Sequence, residues 1–368
     1  MDKDKKSVLI VDDSALVRKL LSEIIEADPK LHVVGTAPDA IIAARKIQRL
    51  KPDVITLDIE MPRMDGLTFL EKLMSQRPMP VVVISSLTQR GAEVTLKAFE
   101  RGAVEVVAKP THDISHTLGE QAERICQAVK AAAQARIKKR TRAPRAPDPK
   151  LSVDVVLPKK RFSASWGPTD KVVVMGASTG GTEALTAILK GLTPWCPGIA
   201  VVQHMPEKFT KVFAERLNGV CAMEVKEAVS GDELVQGRVL IAPGDQHMVL
   251  LRTAGGYSLS VIDGPLVNRH RPSVDVLFRS AVTAAGENAV GVLLTGMGDD
   301  GARGLKELKE AGSYTIAQDE NTCVVFGMPK EAIRLEAASA VLPLHRIAGE
   351  LMERTGTAAS KRVATEAG

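Results

Sequence analysis

Five side chains that could hold a phosphoryl group and a metal ion stand where short apolar runs of the sequence end. They are Asp12, Asp13, Asp58, Ser85 and Lys109. Clustered carboxylates repel one another unless a divalent cation joins them, and oxygen ligands suit Mg²⁺, which also binds phosphate. An ammonium and a hydroxyl would then contact the phosphate oxygens. Any one of these residues could simply cap a helix or lie on the solvated surface. That explanation is a poor one for five such residues that all stand at strand ends.

A second candidate is the segment Gly176–Gly181, which reads GASTGG and fits the G-x-S-x-G pattern of a nucleophile elbow between a strand and a helix. Its glycines permit a sharp turn that brings the Ser178 hydroxyl to the head of the next helix. Free N–H groups and the helix dipole can stabilise an oxyanion there. Glycine-rich turns of this kind also bind phosphates, so the segment alone leaves both functions open. No Gly-Lys-Ser/Thr follows, which argues against a P-loop.

A serine nucleophile needs a base, and the chain has seven histidines. His204 follows the next predicted strand, so we expect it at the same sheet edge as Ser178. The alternative is that His204 is an ordinary core or surface histidine, as most single histidines are. His247 and His270 are rivals with less suitable surroundings.

The orienting acid is predicted in a second glycine-rich turn, TGMGDDG, which holds Asp299 and Asp300. One acid would face the imidazole while the other caps the helix. The Met297 N–H, between two glycines, could join the oxyanion hole. The order serine, histidine, aspartate differs from the serine, aspartate, histidine order of α/β-hydrolases. We therefore expect the logic of a catalytic triad on another fold.

The elements that position these residues alternate strands with helices, which predicts an α/β protein of two domains. Residues 5–127 contain five strand-then-helix units, typical of a doubly wound parallel sheet. Residues 128–169 form a flexible, basic linker that contains prolines. Residues 170–355 form a mostly parallel α/β domain, and residues 356–368 a disordered tail.

Composition narrows the functional classes. The net charge of +5 over 368 residues suggests nucleic acid, but aromatics are only 3%. Much of this positive excess comes from six cations of the linker region, and we interpret that region as solvated. The six are Arg136, Lys138, Lys139, Arg140, Arg142 and Arg145. The four cysteines show no CxxC spacing, and no signal-peptide core or membrane-length apolar run is visible. We expect a cytoplasmic enzyme with no nucleic-acid partner.

The segments VDDSALVRKLL, LDIEMPRMDG, VISS and AKP resemble a response-regulator receiver domain over about residues 5–127. The resemblance implies a flavodoxin-like fold in which Asp58 accepts phosphate from a histidine kinase. It implies a Mg²⁺ ion held by Asp13, by Asp58, by the Glu60 backbone carbonyl and, through water, by Asp12. Ser85 stands at the family's switch position, with Lys109 as its cationic partner.

The segments GASTGG, QHMP, APGDQHM, RPSVD and GMGDDG resemble the catalytic domain of the CheB family of chemotaxis methylesterases over about residues 170–355. That resemblance implies a Rossmann-like domain with the triad Ser178, His204 and Asp300. The resemblance selects Asp300 because, in the family pattern G-M-G-x-D-G, Asp299 occupies the variable position x. It also implies that Thr179 and Met297 assist the oxyanion.

The two resemblances together imply a phosphorylation-regulated serine hydrolase of chemotaxis adaptation. It would demethylate glutamate methyl esters and deamidate glutamines on chemoreceptors, with no cofactor for the ester step. Its partners would be the receptors and a chemotaxis histidine kinase, and the protein would be a monomer peripheral to membrane-bound receptor arrays. Two alternatives are a DNA-binding output domain, for which no helix-turn-helix is visible, and a scaffold without turnover.

Overall fold

The computed structural model describes residues 5–61, 65–85, 94, 97–110, 117–137 and 171–356. Most of the predicted linker and its cations from Lys138 to Arg145 lie outside the described residues, as do residues 357–368 of the predicted tail. The predicted helix over 93–101 is described only in part, and its residues 97–100 are helical.

The N-terminal domain is built on a five-stranded parallel sheet with the strand order β2-β1-β3-β4-β5. Its strands are β1 Lys6–Val11, β2 Leu31–Ala37, β3 Val54–Asp58, β4 Val81–Ser85 and β5 Glu105–Ala108. Every residue of β3 and β4 is buried, because helices cover both faces of the sheet. The predicted doubly wound, flavodoxin-like sheet is therefore confirmed.

Among the described residues, the helices of this domain with assigned bounds are α1 Ala15–Glu26, α2 Ala40–Leu50, α3 Gly66–Gln76 and α4 Thr117–Gln134. The first three each connect two successive parallel strands, and α4 follows the last strand. The first three begin at polar caps, since the side chains of Ser14, Asp39 and Asp65 each accept a hydrogen bond from a first-turn N–H. Helix α4 runs past residue 127, so the predicted start of the linker at 128 falls inside a helix.

The C-terminal domain is built on a seven-stranded sheet with the order β14-β13-β12-β6-β7-β9-β8, in which every pairing is parallel. Its strands are β6 Val172–Ala177, β7 Ile199–Gln203, β8 Glu224–Glu227, β9 Arg238–Ile241, β12 Ala289–Leu293, β13 Tyr314–Gln318 and β14 Ala340–Leu342. An antiparallel hairpin, β10 His247–Thr253 and β11 Gly256–Ile262, is added to it. The predicted α/β class is confirmed.

The helices of this domain are α5 Gly181–Gly191, α6 Phe209–Val220, α7 Val274–Ala285, α8 Ala302–Glu310, α9 Met328–Arg334 and α10 Leu344–Arg354. The sequence pattern predicts helices over 183–192, 208–217, 274–285 and 302–311, which correspond to α5–α8. It does not predict α9, α10, strands β8, β13 and β14, or the hairpin. Among the described residues, no helix combines the length and apolar character that a membrane crossing requires.

The two domains are in direct contact. Within the described part of the chain, ion pairs at the surface join them: Glu100 with Arg216 at 2.5 Å, Glu123 with Arg269 at 3.1 Å and Arg136 with Glu320 at 2.6 Å. The Arg136 N–H also donates to the Val324 carbonyl at 3.2 Å. The prediction that Arg136 is a solvated linker cation was therefore wrong, because this side chain pairs with an acid of the other domain.

Candidate active site and phosphorylation site

An acidic pocket lies at the carboxyl ends of β1 and β3. Carboxylate oxygens of Asp12, Asp13 and Asp58 all lie within 4.8 Å of one another. Asp12 and Asp58 are buried, whereas Asp13 is exposed. The Glu60 N–H donates to Asp58 Oδ1 at 3.1 Å, which fixes the orientation of that carboxylate. The strand ends thus bring together the acids that the sequence singled out.

Lys109 provides the cation that faces this pocket. Its Nζ lies 2.8 Å from Asp58 Oδ2 and 3.5 Å from Asp12 Oδ2. Burial raises the pKa of Asp12, and the neighbouring Asp58 raises it further. Asp12 Oδ2 is buried, and within the described part of the chain it has no hydrogen-bond partner, since Lys109 Nζ contacts it only at the distance of an ion pair. One ammonium does not compensate three carboxylates, so the pocket suits an additional cation.

Ser85, the predicted switch residue, is buried at the end of β4. Its carbonyl accepts a hydrogen bond from the Lys109 N–H at 2.8 Å, because β4 and β5 are neighbours in the sheet. The residues that follow Ser85, from 86 to 93, lie outside the described part of the chain. Ser85 and Lys109 are therefore held side by side next to the acidic pocket.

The serine turn joins β6 to α5 and is fixed by main-chain contacts. The Ser178 N–H donates to the Thr295 carbonyl at 3.0 Å, and the Ser178 carbonyl accepts from Gln203 Nε2 at 3.0 Å. Gly180 has φ +78°, a conformation that disfavours any side chain. At Gly296, a Cβ atom would lie 2.7 Å from Ser178 Cβ, so glycine is needed for the two turns to approach.

His204 follows β7, the strand next to β6, and its N–H donates to the Ala177 carbonyl at 3.1 Å. Its ring atom Nε2 lies 2.8 Å from Asp300 Oδ2. The other ring nitrogen, Nδ1, is buried and has no hydrogen-bond partner among the residues that the structure describes. With Nε2 engaged by the acid, Nδ1 is the nitrogen left to exchange a proton with a neighbouring group.

Asp300 is buried and accepts hydrogen bonds from several donors besides His204. They are Asn268 Nδ2 at 2.8 Å, Ser273 Oγ at 2.7 Å and the Val274 N–H at 2.7 Å. Burial acts to raise its pKa, but the hydrogen bonds and the adjacent imidazole hold the pKa well below the usual range. Asp300 is therefore ionised. The preceding Asp299 is exposed, and no described hydrogen bond joins it to His204.

A cavity of about 140 Å³ opens over these residues. Ser178, Thr179, His204 and Met297 all line it. The predicted triad and oxyanion residues thus converge on one space, with Asp300 directly behind His204. The opposite wall comes from the N-terminal domain and includes Glu105, Val106, Val107, Glu123, Gln127 and Ala131.

Sequence reasoning missed several residues of this site. His270, ranked below His204 as a base, stacks on the His204 ring with centroids 3.7 Å apart. Glu105 of β5 reaches the serine turn, where Thr179 Oγ1 donates to Glu105 Oε2 at 2.5 Å. The other rival, His247, is buried and bonded through both nitrogens, to the Pro265 carbonyl and the Ser273 N–H.

Fold and site together define a class: a regulatory domain with an acidic phosphate-type pocket, docked on an α/β domain whose cleft holds a serine, a histidine and an aspartate. The family model described as CheB methylesterase matches residues 173–351, and the one described as response regulator receiver domain matches residues 8–118. Each of the two domains therefore matches a family that fits the class defined by the fold and the site.

Curated relatives match nearly the whole chain. Protein-glutamate methylesterase/protein-glutamine glutaminase 2 of Rhodospirillum rubrum is 58% identical over 355 residues, 95% of this chain and 98% of that protein. Protein-glutamate methylesterase/protein-glutamine glutaminase 5 of Anaeromyxobacter dehalogenans is 59% identical over 349 residues, which cover 94% of this chain and 95% of that protein. The chain belongs to the CheB family of protein-glutamate methylesterases/protein-glutamine glutaminases.

A solved structure is also similar. The crystal structure of the Thermotoga maritima CheB methylesterase catalytic domain is 42% identical and has a TM-score of 0.49, covering 50% of this chain and 97% of that chain.

Proposed function

We propose that this chain is a phosphorylation-regulated serine hydrolase that demethylates glutamate γ-methyl esters of chemoreceptors and deamidates receptor glutamines to glutamates. The observation that carries the proposal is the 2.8 Å contact between His204 Nε2 and Asp300 Oδ2 beside a cavity that Ser178 also lines. In this proposal residues 5–134, to the end of α4, are the receiver domain, 135–169 a linker, 170–355 the catalytic domain and 356–368 a tail.

The first half of the reaction forms an acyl-enzyme. His204 carries its proton on Nε2, where Asp300 accepts the hydrogen bond, and the free Nδ1 takes the proton of the Ser178 hydroxyl. Ser178 Oγ forms a bond to the γ-carbonyl carbon. The bond to the methoxy or amino group then breaks, and His204 returns the proton so that methanol or ammonia leaves.

The second half releases the product. His204 Nδ1 takes a proton from water, the hydroxide attacks the acyl carbon, and the bond to Ser178 Oγ breaks with return of the proton. Each tetrahedral intermediate carries a negative oxygen, for which the Thr179 and Met297 segments are the proposed donors. Ionised Asp300 stabilises the imidazolium that forms in each half.

The acidic pocket is the proposed phosphorylation site. Asp58 would accept the phosphoryl group from a chemotaxis histidine kinase. Asp13, Asp58 and the Glu60 carbonyl would hold Mg²⁺, with Asp12 contributing through water. The bound cation would offset the negative charge of the phosphate. Lys109 and Ser85 lie where they can contact the new phosphate oxygens.

Docking of the receiver domain over the cleft is the proposed resting state. Val106 and Val107 of β5 and side chains of α4 line the wall opposite Ser178, so a helical receptor segment cannot approach. The ion pairs that join the domains are exposed, and each contributes about 0–1 kcal/mol. They therefore contribute only a small part of the docking energy that phosphorylation at Asp58 would have to overcome. The protein would act as a cytoplasmic monomer, peripheral to membrane-bound receptor arrays.

The test is release of methanol from methylated receptor, measured with and without a small phosphodonor. We expect slow release that the phosphodonor accelerates. A scaffold without turnover would bind the receptor and release no methanol under either condition. Binding of the full chain to duplex DNA, in place of hydrolysis, would favour the alternative of a DNA-binding output domain.

A further inference from the structure

Glu105 belongs to the receiver domain, yet its carboxyl group lies in the catalytic cleft. Thr179 Oγ1 donates a hydrogen bond to Glu105 Oε2 at 2.5 Å. Glu105 lines the same cavity as Ser178, His204 and Met297. The contact therefore places a glutamate γ-carboxyl group beside the residue that directly follows the proposed nucleophile.

The chemistry of the proposed reaction gives this contact a meaning. Its product is a glutamate side chain, and one oxygen of the product carboxyl group is the former oxyanion. Thr179 is a proposed donor to that oxyanion. The Glu105 carboxyl group thus bonds the side chain of the residue whose segment is proposed to bind the γ-oxygen of a newly formed receptor glutamate.

We propose that Glu105 occupies, in the resting chain, the subsite that receives the γ-carbonyl group of a receptor glutamyl or glutaminyl side chain. The inference rests on the proposed function and adds the substrate position to it. The receiver domain then inhibits the cleft with a tethered analogue of the product, in addition to covering it.

The partners of the other interface acids support this reading. Glu100 and Glu123 each pair with an arginine of the catalytic domain, as expected for exposed docking contacts. Glu105 instead accepts from a neutral hydroxyl. Burial raises the pKa of Glu105 against the opposing effect of the Thr179 hydrogen bond, which moves the carboxyl group toward the uncharged form. Esters and primary amides are uncharged too.

The test replaces the product analogue by a substrate analogue. Glu105→Gln places a γ-carboxamide in the subsite of a glutaminase. Ser178 Oγ would bond to the side-chain carbonyl carbon of this new amide, ammonia would leave with the proton from His204, and water would release the acyl group as glutamate. Peptide mass spectrometry of the full chain would then find glutamate at position 105, at a conversion rate independent of protein concentration.

Two variants control this measurement. Glu123→Gln puts an amide in the same cavity wall, but at a residue that pairs with Arg269, and the amide at position 123 is expected to persist. The double variant Glu105→Gln, Ser178→Ala is expected to keep its amide at position 105. Conversion at position 123 at a similar rate, or conversion without Ser178, would show that the position of Glu105 is not special.

The same preparation is assayed on methylated receptor. If it releases methanol while the amide at position 105 stays intact, the subsite assignment is wrong and the proposed function stands. If wild-type protein releases none, the proposed function itself fails. Should Glu105→Gln not fold, Glu105→Ala is measured instead on a soluble γ-methyl glutamyl peptide. We expect a several-fold lower KM at unchanged kcat, and an equal decrease in Glu100→Ala would overturn the inference.

Discussion

The imidazole rings of His204 and His270 lie face to face, with centroids 3.7 Å apart and planes 8° from parallel. Burial and the neighbouring His204 together lower the pKa of His270 to about 3. His270 is therefore neutral at working pH. Its ring fixes the plane of His204, with Nε2 on Asp300, and offers a π face to the imidazolium that the proposed mechanism forms on His204.

Replacement of His270 by alanine should lower kcat about tenfold and leave KM unchanged. An aromatic pair contributes about 0.5–1.5 kcal/mol, and about 1.4 kcal/mol corresponds to a factor of ten in rate. His270→Phe keeps a stacked ring without a titrating group, so we expect it to restore most of the rate with an unaltered pH profile. Wild-type kcat in the alanine variant would contradict a positioning role.

Ser178→Ala should abolish turnover without unfolding the protein. Loss of a triad nucleophile lowers kcat on the order of 10⁶-fold, with residual rate from the oxyanion hole and binding. The side chain is small and its backbone contacts with Thr295 and Gln203 remain, so the melting temperature should change little. Methanol release and thermal denaturation are the two measurements. Substantial ester hydrolysis by a folded variant would exclude Ser178 as the nucleophile.

The adjacent acids Asp299 and Asp300 form a matched pair. Asp300→Asn replaces the acceptor of the His204 hydrogen bond, and the resulting error in tautomer should lower kcat by about 10⁴-fold. Asp299→Asn changes an exposed side chain that lines the cavity but has no described hydrogen bond to His204, so kcat should stay within a few-fold of wild type. The reverse ranking would assign the orienting role to Asp299.

A fragment that begins at residue 170 should hydrolyse receptor esters faster than the unphosphorylated full chain. It lacks the β5 and α4 side chains that form one wall of the cavity. Each ~1.4 kcal/mol of docking energy corresponds to a tenfold decrease in the open fraction, so the gain in rate measures how strongly the domains dock. Equal rates for the folded fragment and the full chain would rule out inhibition by docking.

Activation by a phosphodonor should require both Asp58 and a divalent cation. Asp58→Ala removes the proposed acceptor, and a chelator removes the cation from the acidic pocket. Either change should abolish the response and keep the basal rate, since the Ser178 cleft is separate from this pocket. Asp53→Ala is the control, because Asp53 precedes β3 and bonds Ser7 at the opposite end of the strand. Activation of Asp58→Ala would place the phosphate elsewhere.

Local sequence patterns predicted the strands that carry the site to within two residues at each end. For β6 they predict residues 171–175, and the structure has Val172–Ala177. Both Val81–Ser85 and Ile199–Gln203 have the predicted bounds. Such strands are buried on both faces, so their apolar runs are continuous and end where polar chemistry begins. Strand β14, Ala340–Leu342, has three residues, too few to show a period. The hairpin β10–β11 was missed although a glycine pair, Gly255 and Gly256, marks its turn.

Contacts between distant loops could not be predicted in the same way. His270 lies in the segment between the hairpin and α7, and nothing in its neighbours indicates which ring it will stack on. Glu105 looked like the polar position of an ordinary strand. Its contact with Thr179 depends on how two domains dock, which no local pattern encodes.

The hydrogen bond between Thr179 and Glu105 has a consequence for genetic selection. In our proposal one residue, Thr179, serves the oxyanion during turnover and holds the receiver's carboxyl group at rest. A substitution of Thr179 that releases the inhibitor also damages the enzyme, whereas a substitution of Glu105 releases it and leaves the catalytic groups intact. A screen for constitutively active mutants should therefore recover changes at Glu105 and none at Thr179.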